Sequence, residues 1–175
     1  KICKKINRNP KEINIVAVSK EQPLEKIEVL LHNKHCCFGE NRLLELENKW
    51  SDLNKKNLNI HFIGALQSRK VKDIIKLSNV IETLDSESAA KKIANLDISL
   101  KNKLKLFIQI NLGKEIQKRG IAVCETENFL DMCREKYKLT ISGGMALPPK
   151  SKTPEKYFKI LKDLCEKNNL KEISM

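Results

Sequence analysis

A single lysine, Lys20, directly follows an apolar segment, INIVAVS at residues 13–19. An apolar run of this kind is typical of a buried strand, so the amine of Lys20 is expected to lie at the end of a sheet strand. The neutral amine of a lysine adds to an aldehyde to form an imine, and partial burial makes the neutral form more available. A lysine after a strand is otherwise an ordinary solvated charge, so the remaining elements must decide between these two interpretations.

Apolar runs alternate with segments of helical periodicity along the rest of the chain. Strands of about six residues separated by helices of about 10 to 15 residues indicate βαβ units and a parallel sheet. The sequence predicts strands at 13–19, 35–40, 59–64, 80–85, 105–111 and 139–147, with a seventh beginning after residue 170. It predicts helices at 23–33, 41–56, 66–78, 86–96, 125–137 and 154–169.

Two α/β architectures fit this alternation, an open doubly wound sheet and a closed (β/α)₈ barrel. The first predicted strand lacks the glycine-rich phosphate loop that open sheets usually carry after it. We therefore predict an α/β fold of the (β/α)₈ TIM-barrel type, formed by residues 1–175 as one domain. The barrel is expected to be incomplete, with about six βα units and the start of strand seven.

Polar or small residues recur at the predicted carboxyl ends of six strands. A barrel brings these ends round one mouth, where the chemistry of such folds is found. Each residue also has an ordinary explanation, because glycines permit turns and short polar side chains cap helices. The aldehyde cofactor that uses a protein lysine in the expected way is pyridoxal phosphate. The residues are Lys20, Gly39, Glu40, Asn41, Gly64, Asp85, Ser86, Asn111, Gly143, Gly144 and Met145.

Six motifs resemble, in chain order, those of the pyridoxal-phosphate homeostasis protein family, also called the YggS or PROSC family. The resemblance runs from about residue 13 to the last residue, through IVAVSK, FGENRLLELENKW, HFIGALQSRKVK, ETLDS, IQINLGKEIQKRG and GGMAL. It implies a barrel similar to the N-terminal domain of alanine racemase, with pyridoxal phosphate held as an imine on Lys20. It also implies that Asn41, Asn111 and Met145 lie near the cofactor. A helix cap for Asn41 and core packing for Met145 stay open at this point.

The resemblance further implies a carrier or regulator of the cofactor pool, with no catalytic residues and no established turnover. We expect a cytoplasmic monomer whose partners are the small-molecule cofactor and, as candidate recipients, pyridoxal-phosphate-dependent apo-enzymes. The sequence departs from the family pattern after FGEN, where Arg42 and Leu43 replace an aromatic residue and a glutamine, and at Gly144, where the family has leucine. The family's phosphate-binding serine and closing strand would follow Met175. We therefore expect two unpaired sheet edges and weak cofactor binding.

Two other functions remain open from the residues. A racemase or decarboxylase would need a second acid or base facing the lysine, usually from an added domain, and the chain lacks the length for one. The net charge of +12 suggests nucleic-acid binding, especially through SRKVK (68–72) and PKSK (149–152). However, only five of the 34 basic residues are arginine, aromatic residues make up 5%, and the lysines are scattered, so we expect no nucleic-acid partner.

The six cysteines form no CxxC pair and indicate a reduced protein. Cys36 and Cys37 lie in an apolar run and are expected to be small buried side chains. His32, His35 and Cys36 could be metal ligands, yet no second cluster completes a tetrahedral set, so we expect no metal site. No apolar run approaches the length of a membrane span.

Overall fold

The computed structural model describes residues 2–51, 57–113, 119–149 and 153–175, and it shows a parallel sheet covered by helices. The strands are β1 Ala17–Val18, β2 Cys37–Glu40, β3 Asn59–Phe62, β4 Val80–Leu84, β5 Lys105–Asn111, β6 Ile121–Ala122, β7 Gly143–Met145 and β8 Glu172–Ser174. The helices are α1 Ile2–Lys5, α2 Leu24–His32, α3 Leu43–Trp50, α4 Val71–Leu77, α5 Glu87–Ala94, α6 Ile98–Lys101, α7 Thr126–Asp131 and α8 Glu155–Lys167.

The order of the strands distinguishes an open doubly wound sheet from the predicted barrel. Strands follow one another across the sheet as β1-β2-β3-β4-β5-β7-β8, every pair is parallel, and β6 pairs only with β5. A doubly wound sheet would reverse its strand order at a switch point, whereas a barrel adds each strand beside the last. The prediction of an incomplete TIM-type barrel is therefore confirmed.

The sheet curls, as a contact between two distant strands shows. Ser174 Oγ on β8 donates a hydrogen bond of 2.6 Å to Glu82 Oε2 on β4, although β5 and β7 separate these strands in the sheet. A bulge in β4 orients Glu82, because Ile81 pairs with Leu106 but Leu84 pairs with Ile108. Ile81 and Leu84 both remain in the main core, while Glu82 lies on the concave face.

The main core lies between the convex face of the sheet and the helices. Phe38, Ile60 and Ile108 from the strands pack with Leu46 and Trp50 from α3 and with further buried side chains of the other helices. The helical spacing of Leu43, Leu46 and Trp50 in the sequence predicted this face, and Leu53 of the same set lies outside the described residues. Ser86 caps α5 as predicted, because its Oγ accepts a hydrogen bond from Ala89 N.

Several predicted boundaries are wrong. β1 covers only two residues of 13–19, and β7 covers three of 139–147, because both segments are largely extended chain without ladder pairing. Residues 68–70 form a 3₁₀ turn before α4, and α7 continues as a π-helical turn over Met132–Lys136. Cys36 is exposed rather than buried, because it precedes β2, whose residues from Cys37 onward are buried. The strand β6 was missed within a segment interpreted as a connection.

Candidate cofactor site

The end of β1 is held by a buried polar network that fixes the residue before Lys20. Ser19 Oγ donates to Glu40 Oε1 at 2.7 Å, and Trp50 Nε1 donates to the same oxygen at 3.3 Å. Lys49 Nζ lies 3.2 Å from Glu40 Oε1 and donates to the Ser19 carbonyl at 2.7 Å. Glu40 is fully buried, so its carboxylate requires these partners. The side chain of Ser19 is thus anchored to β2 through Glu40, and its backbone carbonyl to α3 through Lys49.

The turn after Lys20 is fixed by the same helix. Glu21 takes a left-handed backbone conformation with φ of 60°, and its N–H donates to Glu45 Oε2 at 2.6 Å. Lys49 Nζ donates to that carboxylate at 2.6 Å, and this hydrogen bond lowers the pKa of Glu45 against the opposing effect of burial. The backbone is therefore held on both sides of Lys20. The Lys20 side chain is exposed, and within the described residues its Nζ makes no hydrogen bond or ion pair.

Asn41 follows β2 directly and lies at the strand end next to that of Lys20. The pairing of β1 with β2 joins Val18 to Gly39, and the Ser19 N–H donates to the Gly39 carbonyl at 3.0 Å. The Asn41 Oδ1 atom is buried and lacks a hydrogen-bond partner among the described residues. A buried acceptor of this kind is rare unless a ligand, ion or water completes it.

Gly64, which follows β3, packs directly against the backbone of Asn41. A Cβ atom at Gly64 would overlap the Asn41 carbonyl oxygen and lie 2.8 Å from its Cα atom. The chain can pass this close only because residue 64 has no side chain. Gly64 thereby sets the position of Asn41 from the neighbouring strand end.

Asn111 and Met145 end two further neighbouring strands. Asn111 is the last residue of β5 and pairs with Ala122 of β6, and Met145 ends β7 opposite Gln109. Met145 is buried and packs with Val80 and Phe107 in a small cluster separate from the main core. The Phe107 ring passes over Gly143, where a Cβ atom would lie 2.5 Å from the nearest ring carbon. This cluster gives the concave face an apolar surface.

A bidentate ion pair joins the residue after β4 to the connection before β6. Arg119 Nε and Nη2 each donate to one oxygen of the nearly buried Asp85 carboxylate at 3.0 Å. The hydrogen bond to Asp85 raises the pKa of Arg119, and burial opposes it. An open groove of about 450 Å³ lies beside this pair, and its lining is Leu66, Gln67, Ser68, Arg69, Ser86, Ser88 and Arg119.

A profile of the alanine racemase N-terminal domain family matches residues 3–172. The chain belongs to this family. The resemblance noted in the sequence motifs is therefore confirmed.

Relatives that match most of the chain share one name within this family. Proteins named "pyridoxal phosphate homeostasis protein" match it from Schizosaccharomyces pombe, at 32% identity over 170 residues, and from Aquifex aeolicus, at 29% over 169 residues. The match covers 90% and 94% of this chain and 69% and 73% of those relatives. The Haemophilus influenzae protein of the same name is 31% identical over 148 residues, which cover 83% of this chain and 62% of that relative. The chain thus spans between 62% and 73% of the length of these relatives.

Solved structures agree on the fold. PipY of Synechococcus elongatus with pyridoxal phosphate bound gives a TM-score of 0.77 at 22% identity, covering 99% of this chain and 86% of that chain. Alanine racemase of Clostridium difficile gives a TM-score of 0.71 at 18% identity, covering 93% of this chain and 48% of that chain. At these levels of identity, the structural similarity shows that the barrel fold is shared.

The predicted site residues lie at the carboxyl edge of the sheet in two groups. Lys20 and Asn41 follow the adjacent strands β1 and β2, and Asn111 and Met145 end the adjacent strands β5 and β7. Strands β3 and β4 separate the two groups in the sheet. Lys49 and Arg119 were missed as site-organising residues, because one looks like any surface lysine of a helix and the other lies in a connection. Only the burial of their carboxylate partners reveals them.

Among the described residues, no group of three or more histidine, cysteine or carboxylate side chains is arranged to hold a metal ion. Across the same ranges, no helix has the length and apolar character to cross a bilayer.

Proposed function

We propose that the protein binds pyridoxal 5′-phosphate covalently through the Lys20 amine and serves in homeostasis of that cofactor. One observation carries the proposal. The backbone on both sides of Lys20 is anchored by hydrogen bonds to side chains of α3, yet the Lys20 amine itself is unengaged within the described residues. An amine on an anchored backbone that is left without a counterion is suited to react with an aldehyde.

The other residues of the carboxyl edge fit the cofactor by their chemistry. The buried Asn41 Oδ1 lacks a donor, so it can accept a hydrogen bond from a polar group of a bound molecule. Met145, Val80 and Phe107 offer an apolar surface of the kind that packs against an aromatic ring. We assign Asn111 to the same site as a polar strand-end group. Bound pyridoxal phosphate would supply an aldehyde and an electron-withdrawing ring, and the protein supplies the position.

The relatives support this assignment by name. The curated relatives are named for pyridoxal phosphate homeostasis, and PipY has been solved with that cofactor bound. All eight strands lie in one sheet, which supports our proposal that the chain folds as one domain. A monomeric state, a cytoplasmic location and delivery to apo-enzymes accompany the proposal as expectations from the family. A carrier of this kind needs no second acid or base opposite the lysine.

An equilibrium titration tests the proposal. The 175-residue chain is dialysed against increasing pyridoxal phosphate, in parallel with the variants Lys20→Ala and Lys26→Ala. Lys26 is the matched control, because it is an exposed lysine six residues away whose Nζ donates to Gln22 at 3.0 Å. We expect the wild type and Lys26→Ala to bind one equivalent alike, and Lys20→Ala to lose at least tenfold in affinity. Equal binding by all three chains would contradict the proposal.

A further inference from the structure

A second group of reactive side chains lies on the concave face, toward the strand ends opposite Lys20. Cys37 Sγ is 3.2 Å from His61 Nε2, and His61 Nδ1 is 2.5 Å from Glu82 Oε1. Ser174 Oγ donates to the other oxygen of Glu82 at 2.6 Å. Cys37, His61 and Glu82 come from β2, β3 and β4 and are 8%, 7% and 4% exposed. Three adjacent strands therefore align a thiol, an imidazole and a carboxylate.

This order of groups is that of an activated nucleophile. A thiol within hydrogen-bond distance of an imidazole, which is itself oriented by a carboxylate, has the geometry used in nucleophilic catalysis. The Asn59 carboxamide nitrogen lies 3.0 Å from His61 Nε2 and 3.9 Å from Cys37 Sγ, so it faces the charge that develops on sulfur. Burial lowers the pKa of His61, but its hydrogen bonds to Cys37 and Glu82 outweigh burial and raise the pKa to about 9.

The proposed cofactor function does not use this cluster. Cys37 is the first residue of β2, whereas Lys20, Asn41, Asn111 and Met145 lie at the opposite, carboxyl ends of their strands. Three residues of extended chain from Cys37 to Glu40 span about 10 Å. The Cys37 thiol therefore lies about one strand length from the Lys20 end of the sheet, and His61 borders the proposed apolar surface at Val80.

The other buried thiols lack these partners. Burial raises the pKa of Cys133 to about 12 and also raises that of Cys165, so both are inert at neutral pH. Cys36, the sequence neighbour of Cys37, is exposed on the other side of the strand. Cys37 is thus distinguished by an adjacent imidazolium and by an enclosed position that favours small electrophiles.

We propose that Cys37 is a peroxide-reactive thiol whose oxidation is promoted by His61 and Glu82. The Cys37 thiolate attacks one oxygen of hydrogen peroxide, forming the S–O bond and breaking the O–O bond. The departing hydroxide takes the proton from His61 Nε2 and leaves as water. Sulfur is oxidised to the sulfenic acid, peroxide is reduced, and Glu82 stabilises the imidazolium before the proton leaves. Hydrogen peroxide is the oxidant, and it is small enough for a thiol with this limited exposure.

The test is oxidation of the folded 175-residue chain by limiting hydrogen peroxide, followed at each time point by unfolding in urea with dimedone, which traps the sulfenic acids that have formed. Cys36 and Cys37 share one tryptic peptide, so the reaction is followed in Cys36→Ser, with the exposed Cys124 as internal reference. We expect dimedone on Cys37 to accumulate at least tenfold faster than on Cys124, despite the burial of Cys37. Labelling of Cys124 first, or no labelling of Cys37, overturns the proposal.

Two further variants separate activation from mere exposure. In the Cys36→Ser background, His61→Gln and Glu82→Gln should each slow labelling of Cys37 at least tenfold and leave the Cys124 rate unchanged. Glu82→Gln keeps the size of the side chain, and circular dichroism verifies that each variant is folded. Unchanged labelling of Cys37 in the folded Glu82→Gln variant would overturn the role of the triad.

Discussion

Lys49 and Ser19 are joined by a hydrogen bond of 2.7 Å from the Lys49 ammonium to the Ser19 carbonyl, which ties α3 to the end of β1. The same ammonium bridges Glu40 and Glu45, and its side chain is 12% exposed. One buried cation therefore fixes the backbone that presents Lys20. The proposed nucleophile depends on a residue 29 positions later in the chain.

Replacing that cation should weaken both the fold and the site. Lys49→Met leaves two carboxylates enclosed without their cation, and we expect a loss of about 3 kcal/mol in the free energy of unfolding. Lys76→Met is the control, because its pair with Asp73 is about half exposed and should change stability by less than about 1 kcal/mol. Urea denaturation measures both variants. Equal losses of unfolding free energy in the two variants would show that the buried network stabilises the fold no more than the exposed pair does.

The glycine beside Asn41 should tolerate no side chain. Gly64→Ala drives a methyl group into the Asn41 backbone, so we expect a loss of about 2 kcal/mol or more and weaker binding of pyridoxal phosphate. Gly39→Ala is the matched control, since its Cβ atom meets only side-chain atoms of Val16 and Ile63, at 3.1 and 3.3 Å. A milder effect at Gly64 than at Gly39 would contradict the close approach.

The His61 cluster should make stability depend on pH. The pKa of His61 is raised from 6.5 to about 9 in the folded protein, so its contribution is fully present below pH 6.5 and is lost as the pH rises through 9. The groups that face it are Cys37, Asn59 and Glu82. We expect the stability difference between wild type and His61→Gln to shrink between pH 6.5 and 9 in urea titrations. A stability difference that stays constant with pH would contradict a protonated, charged His61 in the folded protein.

The Asp85–Arg119 pair should couple the end of β4 to the connection before β6. A double-mutant cycle with Asp85→Asn and Arg119→Ala should give a coupling of about 1 kcal/mol, because the guanidinium is half exposed. The pair of Glu87 with Lys136, whose side chains are both more than half exposed, serves as comparison and should couple more weakly. Coupling that is absent for Asp85 and Arg119 would mean that the bidentate contact is not maintained in solution.

The alternation of apolar runs and amphipathic helices was sufficient to predict the parallel barrel from the sequence. Strand positions such as 105–111 were predicted correctly, because five consecutive residues of this strand are buried on both faces and give a mostly apolar run. β6 could not be predicted in this way, because a two-residue strand within a connection has no periodicity. Residues 13–16 have strand composition but form no ladder pairs, which composition cannot reveal.

The site residues were predictable only as strand-end positions. Lys20 and Asn41 follow apolar runs, and the order of the strands puts them at adjacent ends. The contacts of Lys49 and the alignment of Cys37 with His61 depend on register and on helix packing across many residues. A pairwise register of this kind, such as Gly39 opposite His61, is not encoded in any local pattern.

The most direct measurement is to locate the attachment point of the cofactor. The purified chain is mixed with pyridoxal phosphate and reduced with borohydride, and the digest is mapped by mass spectrometry alongside Lys20→Ala. We expect the pyridoxyl group to concentrate on Lys20 among the 29 lysines of the sequence, and to be lost in the variant. Labelling scattered over many lysines, or unchanged in Lys20→Ala, would contradict the proposed site.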